Sequence, residues 1–425
     1  MITLRDAEEF VLEACTPARP ISVPIDEALG CVVATRVTAT EPIPPFVNSS
    51  RDGYALRAAD TLAEGGAEST VRLRVVGLVM AGSSSDQPIG PGQAARIMTG
   101  AALPDGADAV CMLEDCSDEE DGEVVLIDHL VAEGEAVRQA GEDVRIGDVL
   151  AGPGTVLTPG HLGVLANQGI EDVPIHPRPR VGVLSTGDEL VSGAGPLAPG
   201  QIRDANRHTL LGMVRREGWG AVDLGIVGDD EMALADVLER ASLDCDAIVT
   251  SGGVSVGDLD IVKVVLEKRS GGTMRWMQVA IRPAKPFAFG TLEGSQTPVF
   301  GLPGNPVSAM VSFELFVRPG VRRIAGHRSL HRLVVSAMAD TELRRAPDGK
   351  IHFARAVTWL DESGLWHMRP MAGQDSHQLL AMADANALAV LPDGDGIEAG
   401  GRVDVLLTDP ERLSADAAAG RDRPW

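Results

Sequence analysis

The chain has 425 residues, 44% of them apolar and 23% charged, and a formal net charge of −24. These are globular proportions in a chain too long for one core, so roughly two to four domains are expected. The acidic balance argues against a nucleic-acid partner and an anionic membrane surface, and no run approaches the roughly eighteen apolar residues of a membrane span.

In chain order, Met1 to Asp6 shows neither a basic start nor an apolar h-region, so no signal peptide is expected. Thr3-Leu4-Arg5-Asp6 reads as a capping box opening an amphipathic helix through Phe10, Val11 and Ala14. Pro- and Gly-punctuated sequence then runs to about Arg178, with short β-like stretches at 71–79, 109–112 and 124–128. From 179 the texture changes. Strands at 181–184, 222–227, 247–250 and 298–302 alternate with helices at 204–217, 231–241, 261–269 and 307–317. Such alternation predicts a doubly wound α/β domain over 179–326, its parallel sheet covered on both faces. Stretches at 333–338, 350–359, 365–370, 387–391 and 403–407 predict a small β domain over 327–410, followed by a tail over 411–425. The five cysteines (15, 31, 111, 116, 245) form no C-x-x-C, so neither a disulfide framework nor a zinc knuckle is expected. A reducing cytoplasm is the simplest setting.

The segment Thr250-Ser251-Gly252-Gly253-Val254-Ser255-Val256-Gly257-Asp258-Leu259-Asp260 follows a strand and precedes a helix. It fits two chemistries: a G-x-S-x-G elbow presenting Ser255 as nucleophile, or a phosphate cradle with carboxylates for a metal. Ligands in an open α/β sheet bind beyond the carboxyl ends of the strands. Two further acidic loops belong there, Ser185-Thr186-Gly187-Asp188-Glu189 and Gly228-Asp229-Asp230. Two carboxylates about 4 Å apart repel by roughly 4 kcal/mol at an effective dielectric of 20. Gathering several therefore favours an oxygen-seeking cation, magnesium, although each acid could instead cap the following helix. The elbow reading lacks an upstream His-Gly-Gly-Gly segment, and the later histidines fall in or beside the C-terminal β domain. Ile281-Arg282-Pro283-Ala284-Lys285-Pro286-Phe287 places cations on a rigid segment of an acidic chain, as an anionic substrate would need. Pro303-Gly304-Asn305-Pro306 is a further candidate anion loop. His327 and His331, without H-E-x-x-H, read as a surface pair.

In order, the following segments resemble the molybdopterin molybdenumtransferase family, the MoeA and gephyrin E-domain type: Asp52-Gly53-Tyr54-Ala55, Arg96-Ile97-Met98-Thr99-Gly100-Ala101, Gly141-Glu142-Asp143, Ser185 to Leu190, Asp204-Ala205-Asn206-Arg207, Gly228-Asp229-Asp230, Thr250 to Asp260, Lys285-Pro286-Phe287-Ala288, Gly301 to Ser308 and, loosely, Gln374-Asp375-Ser376-His377. The resemblance implies an N-terminal region over 1–178 made of two interleaved domains, roughly 46–144 and 15–45 with 145–178. It further implies a central molybdopterin-binding domain and a C-terminal β-barrel-like domain. The implied function is molybdenum insertion: adenylyl-molybdopterin and molybdate give molybdenum cofactor and AMP, with Mg2+. A homodimer is implied, its cleft joining the sheet domain of one subunit to N-terminal loops of the other. The expected partners are a preceding adenylyltransferase and recipient molybdoenzymes. Carried over, Asp188, Glu189, Asp229 and Asp260 are catalytic carboxylates, with Glu189, Asp229 and Asp260 on the metal. Asp52, Thr99 and Asp143 come across the dimer. Thr186, Gly252, Gly253 and Ser255 line the pterin-phosphate pocket, and Arg282, Lys285, Pro303, Pro306 and Ser376 complete the anion site.

The chain departs from the family pattern in places. Arg282 and Gln278 stand where a lysine is common, and Ala284 where glycine is usual. Arg282 keeps charge with different geometry, and Gln278 removes a cation, so both bear on molybdate affinity and on its choice over tungstate. Rival readings are an adenylyltransferase step on the same α/β domain, a non-catalytic gephyrin-like scaffold and a serine hydrolase.

Overall fold

The computed structural model describes residues 1–62, 70–83, 87–119, 122–254 and 261–414. Its central element is a six-stranded sheet in the spatial order Gly220–Val227, Arg180–Thr186, Ala247–Ser251, Pro298–Leu302, Pro286–Thr291, Arg275–Gln278. The first four are parallel, as expected. Pro286–Thr291 runs antiparallel to Pro298–Leu302, and Arg275–Gln278 antiparallel to Pro286–Thr291, so the sheet is mixed rather than wholly parallel. Sequence periodicity missed these last two strands. Pro286 sits at a strand's first residue, where its missing N–H is tolerated, and Phe287 to Thr291 are all buried, leaving no alternation to detect.

Helices cover both faces. On one, Leu210, Leu211 and Val214 of Asn206–Arg216 join Phe300, Phe313 and Phe316 in the largest apolar core. On the other, Leu234 and Leu238 of Glu231–Asp244 pack with Val262, Val265 and Leu266 of Ile261–Arg269. The N-terminal helix Leu4–Ala14 is capped as expected, Asp6 N–H donating to Thr3 Oγ1 at 3.1 Å. It docks on this central core: Ala7 and Val11 are buried there, and Phe10 meets Phe289 edge-on at 5.7 Å. The helix expected over 307–317 continues to Ile324 in three pieces, Pro306–Ser312, a π-helical turn Phe313–Val317 and Arg318–Ile324. Pro319 has no N–H to give and its ring crowds the preceding turn, and the wider turn accommodates it.

Residues 46–144 hold a second six-stranded sheet, ordered Ala109–Met112, Gly53–Leu56, Gln93–Ile97, Val71–Val79, Val124–Ile127, Cys116–Glu119. Strands Ile21–Pro24, Val32–Val33 and Asp172–His176 form a small separate sheet beside the helix Pro159–Asn167. In the C-terminal region Ile351–Leu360, Trp366–Pro370, Val334–Ala339, Arg402–Leu407 and Ala387–Leu391 pair in turn, and the last pairs back to the first, closing a barrel. Its interior is filled by small residues such as Ala337, Ala354, Ala356, Ala387 and Ala389. Ile281–Arg282 pairs in parallel with the barrel strand Ile351–Leu360, so the cationic segment is seated on the barrel. His327 and His331 are not a pair: His327 sits half-buried against Arg322, and His331 meets Glu8 at 3.2 Å. No helix among the described residues is long and apolar enough to cross a membrane.

Candidate functional site

The four parallel strands end at Thr186, Val227, Ser251 and Leu302, and the loops that follow share one sheet edge. Asn206, the first residue of its helix, fastens two of them: its Nδ2 donates to Ser251 Oγ and to Gly304 O, both at 2.7 Å. Gly252 N–H donates to Leu302 O at 3.1 Å. Gly252 has φ +98°, and a Cβ there would lie 2.8 Å from Thr186 O, so only glycine fits between these strand ends. Gly253 follows at φ +71°. The result is a row of backbone groups at the strand ends, bridged by the Asn206 side chain. The buried Asn206 Oδ1 has no protein partner there.

Two acidic loops meet on the adjacent side. Asp188 Oδ1 accepts from the Asp229 N–H at 2.9 Å, and a Cβ on Gly228 would lie 2.6 Å from that oxygen. Glu189 folds its carboxylate back over Gly187, where a Cβ would stand 2.4 Å from Oε2. Asp230 has the capping role that each acid could have had, accepting from Met232 N–H at 2.9 Å and Ala233 N–H at 3.1 Å. Among the described residues no three His, Cys, Asp or Glu side chains converge on one metal position. Asp260 and Ser255 lie outside the described residues.

The Asp204 motif serves the site from beneath. Asp204 is buried and accepts from Ser185 Oγ at 2.9 Å and from Arg207 Nε at 2.8 Å. Arg207 also binds the Asp223 carboxylate and Ser192 Oγ. This network pins the base of the 187–189 loop to the neighbouring strand.

Across the edge lies a cleft of about 650 Å³ lined by Arg282, Lys285, Ser308, Lys350, Ser376 and His377. Two of the chain's four lysines are therefore here, against one lining carboxylate, Asp375. The Ser376 carbonyl accepts from Val307 N–H at 3.1 Å, tying the barrel loop to the helix that starts at Pro306. Pro303 and Pro306 bracket the loop that presents Gly304 to Asn206.

Sequence reading missed Arg355. It has no exposed surface, and its Nη2 donates to Gly373 O at 2.7 Å and Asp375 O at 3.3 Å. Its Nε and Nη1 have no partner. Burial pulls its basicity down, and Asp375 partly restores it. The signal in the sequence was an arginine inside the run Phe353-Ala354-Arg355-Ala356-Val357. Its spare donors lie beneath the loop that lines the basic cleft.

The N-terminal candidates form a separate group. Asp52 Oδ1 accepts from Thr99 N–H at 2.7 Å and Thr99 Oγ1 at 2.8 Å. These bonds hold its carboxyl below the ordinary range. Asp143 donates its N–H to Ile43 O at 2.9 Å. Among the described residues no hydrogen bond or ion pair joins Asp52, Thr99 or Asp143 to the sheet-edge loops. Within one chain the structure assembles Thr186, Asp188, Glu189, Asp229, Gly252 and Gly253 at the strand ends. It assembles Arg282, Lys285 and Ser376 at the cleft.

A doubly wound domain with glycine and acid loops at its strand ends, flanked by β domains, defines a multidomain α/β protein of modular build. Family models cover most of the chain: the MoeA N-terminal region (domain I and II) at 2–169, a probable molybdopterin binding domain at 182–323 and the MoeA C-terminal region (domain IV) at 341–408. The chain is 37% identical to the molybdopterin molybdenumtransferase of Haemophilus influenzae, over 93% of this chain and 96% of that one. It is 38% identical to molybdopterin molybdenumtransferase 2 of Mycobacterium tuberculosis, over 92% and 96%. A crystal structure of a molybdopterin biosynthesis MoeA protein from Pyrococcus horikoshii superposes with a TM-score of 0.80 at 28% identity, covering 96% of this chain and 100% of that one. The chain belongs to the MoeA family of molybdopterin molybdenumtransferases.

Proposed function

We propose that the protein inserts molybdenum into molybdopterin, converting adenylyl-molybdopterin and molybdate to molybdenum cofactor and AMP. The observation that carries this is the juxtaposition of two candidate anion-handling surfaces, the glycine and acid strand ends of the central domain and the basic cleft where that domain meets the barrel. The first suits a phosphoanhydride with a cation, the second a small oxyanion.

Glu189 and Asp229 offer hard oxygen donors on neighbouring loops. Two carboxylates, with the remaining positions left to substrate phosphate and water, suit Mg2+, and Asp260 is the third expected ligand. Bound there, magnesium would neutralise charge on the phosphoanhydride oxygens. The turn at Gly252 presents the Gly253 backbone N–H to phosphate oxygens, and Thr186 and Ser255 shape the pocket. Asp188 positions the Asp229 loop through its hydrogen bond. Arg282, Lys285 and Ser376 gather molybdate beside Pro303 and Pro306, with Arg355 adding charge from below. Water adds to the adenylyl phosphorus as the phosphoanhydride P–O bond breaks and AMP departs, and the two dithiolene thiols displace one oxygen of molybdate, which leaves as water with their protons. Asp52, Thr99 and Asp143 act from the second subunit of a homodimer, in keeping with their having no hydrogen bond or ion pair to the strand-end loops among the described residues. The cytoplasm is the proposed setting.

The test is AMP release from adenylyl-molybdopterin by the purified protein, with molybdate and Mg2+ varied independently. Release that requires both is expected. Absence of molybdate-dependent release with any divalent cation would overturn the proposal. Adenylyl transfer from ATP to molybdopterin would point to the adenylyltransferase instead.

A further inference from the structure

Cys111 ends the buried part of the strand Ala109–Met112, and Cys116 begins Cys116–Glu119, with only the turn Leu113–Asp115 and Met112 between them. Both thiols reach one acceptor: Met112 O lies 3.8 Å from Cys111 Sγ and 3.2 Å from Cys116 Sγ. Cys111 Sγ also lies 3.8 Å from Asp115 O and Cys116 Sγ 3.7 Å from Leu113 O, so both sulfurs face the same short turn. Both cysteines are free. Cys111 is fully buried, whereas Cys116 is half-buried and lines a cleft of about 620 Å³ with Glu114, Asp115, Asp128 and Glu135. Cys15, Cys31 and Cys245 are buried in other cores.

We propose that Cys111 and Cys116 are a dithiol that a peroxide converts to a reversible intramolecular disulfide, and that this closure acts on the Asp52 loop. Cys116 sulfur attacks one peroxide oxygen, the O–O bond breaks, and hydroxide leaves as water after taking a proton, giving a sulfenic acid. Cys111 sulfur then attacks the sulfenic sulfur, the S–S bond forms, the S–O bond breaks, and hydroxide departs with the Cys111 proton as a second water. The two sulfurs lose two electrons and the peroxide gains them.

The pair is asymmetric in the required sense. The neighbouring Cys111 thiol holds the Cys116 thiol below its ordinary range against burial and the Asp118 and Asp115 charges, with Arg96 assisting. That same pairing, with burial, pushes Cys111 up. The reachable sulfur is thus the nucleophile and the buried one the resolving thiol. The acids of the cleft repel an anionic oxidant such as a glutathione disulfide and admit a neutral peroxide.

Closure has no slack to absorb it. Cys111 is registered against Tyr54 and Met112 against Gly53, and Leu113 N–H donates to Asp52 O at 3.2 Å. A Cβ on Gly53 would fall 2.0 Å from Cys111 O. Drawing two sulfurs that share the Met112 carbonyl to a bond of about 2.05 Å therefore shifts backbone that carries Asp52, whose carboxylate holds the Thr99 N–H.

The experiment treats the reduced full-length protein with one equivalent of hydrogen peroxide and follows intact mass, peptide maps and amide exchange. Loss of two hydrogens, a Cys111–Cys116 cross-link and its reversal by a dithiol are expected. Cys111→Ser should stop at a dimedone-reactive sulfenic acid on Cys116, and Cys116→Ser should react at least about tenfold more slowly. In the cross-linked wild type the Thr99 amide should exchange about tenfold faster, the scale of one weakened hydrogen bond. No cross-link, cross-links spread over the other cysteines, or unchanged Thr99 exchange in the fully cross-linked protein would overturn the proposal. None of these readouts depends on the molybdenum chemistry.

Discussion

The Asp188 carboxylate accepts the backbone N–H of Asp229 at 2.9 Å, so one acid of the strand-end edge holds the loop that carries another. Its charge and its hydrogen bond can be separated. Asp188→Asn keeps an acceptor, so its unfolding free energy should stay within about 0.5 kcal/mol of wild type. Asp188→Ala frees the loop and should cost about 1 kcal/mol or more. AMP release should fall in both, by about 10²-fold in Asp188→Asn if the negative charge takes part in chemistry. Denaturant melts beside steady-state assays check this, and an Asp188→Asn enzyme at full activity would confine Asp188 to holding the loop.

Arg355 gives a different separation. Its buried guanidinium leaves Nε and Nη1 without partners, a cost the fold carries for a charge under the cleft. Removing a buried, incompletely paired charge ends its desolvation cost but leaves the Gly373 and Asp375 carbonyls without their donor. Arg355→Met should therefore cost no more than about 3 kcal/mol of stability, while the molybdate concentration for half-maximal AMP release rises at least about tenfold. A strongly destabilised Arg355→Met with unchanged molybdate dependence would make Arg355 a purely structural residue.

Ala284 stands where the family usually has glycine, and it adopts φ +73° with its methyl buried. Trimming a buried methyl ordinarily costs about 1 kcal/mol, but relief of the left-handed strain is of similar size. Ala284→Gly should therefore be close to neutral or stabilising in thermal melts, unlike alanine-to-glycine changes at negative φ elsewhere.

The pH profile of stability should be limited from both sides by histidines. Asp340 at 2.7 Å and Asp361 at 3.3 Å flank His367, and their bonds raise its pKa above the ordinary imidazole value. A raised folded-state pKa stabilises fully below the unfolded value and is lost as pH rises through the folded one. His367→Gln should flatten the decline on the alkaline side. Burial and then the Arg322 charge depress His327 to about 4. That contribution is present above the unfolded pKa near 6.5 and is lost as pH falls toward about 4. His327→Gln should flatten the acid limb. Thermal melts between those limits, with each variant, test both signs.

The parallel strands, their helices and the strand-end loops were legible because their signals are local. Gly252-Gly253 and the acids at 188, 189 and 229 sit at fixed offsets from apolar runs, and each run is one strand of a covered sheet. The strand Pro286–Thr291 was not legible, since a strand buried on both faces loses its alternation, and Arg275–Gln278 is a four-residue edge strand too short to show a period. The capping box at Thr3 was readable, but not that Phe10 would meet Phe289, which lies beyond the whole N-terminal region and most of the central domain in sequence.

By itself the amino-acid sequence determined the order of elements, the doubly wound centre and the family, because periodicity, turn chemistry and ordered motifs are properties of neighbours along the chain. Tertiary structure alone decided which acids cap and which are free, that Asp230 serves its helix while Asp188 serves Asp229, and that Arg355 lies beneath the basic cleft. Those outcomes depend on distances between segments far apart in sequence, which chain closure sets and no local pattern encodes.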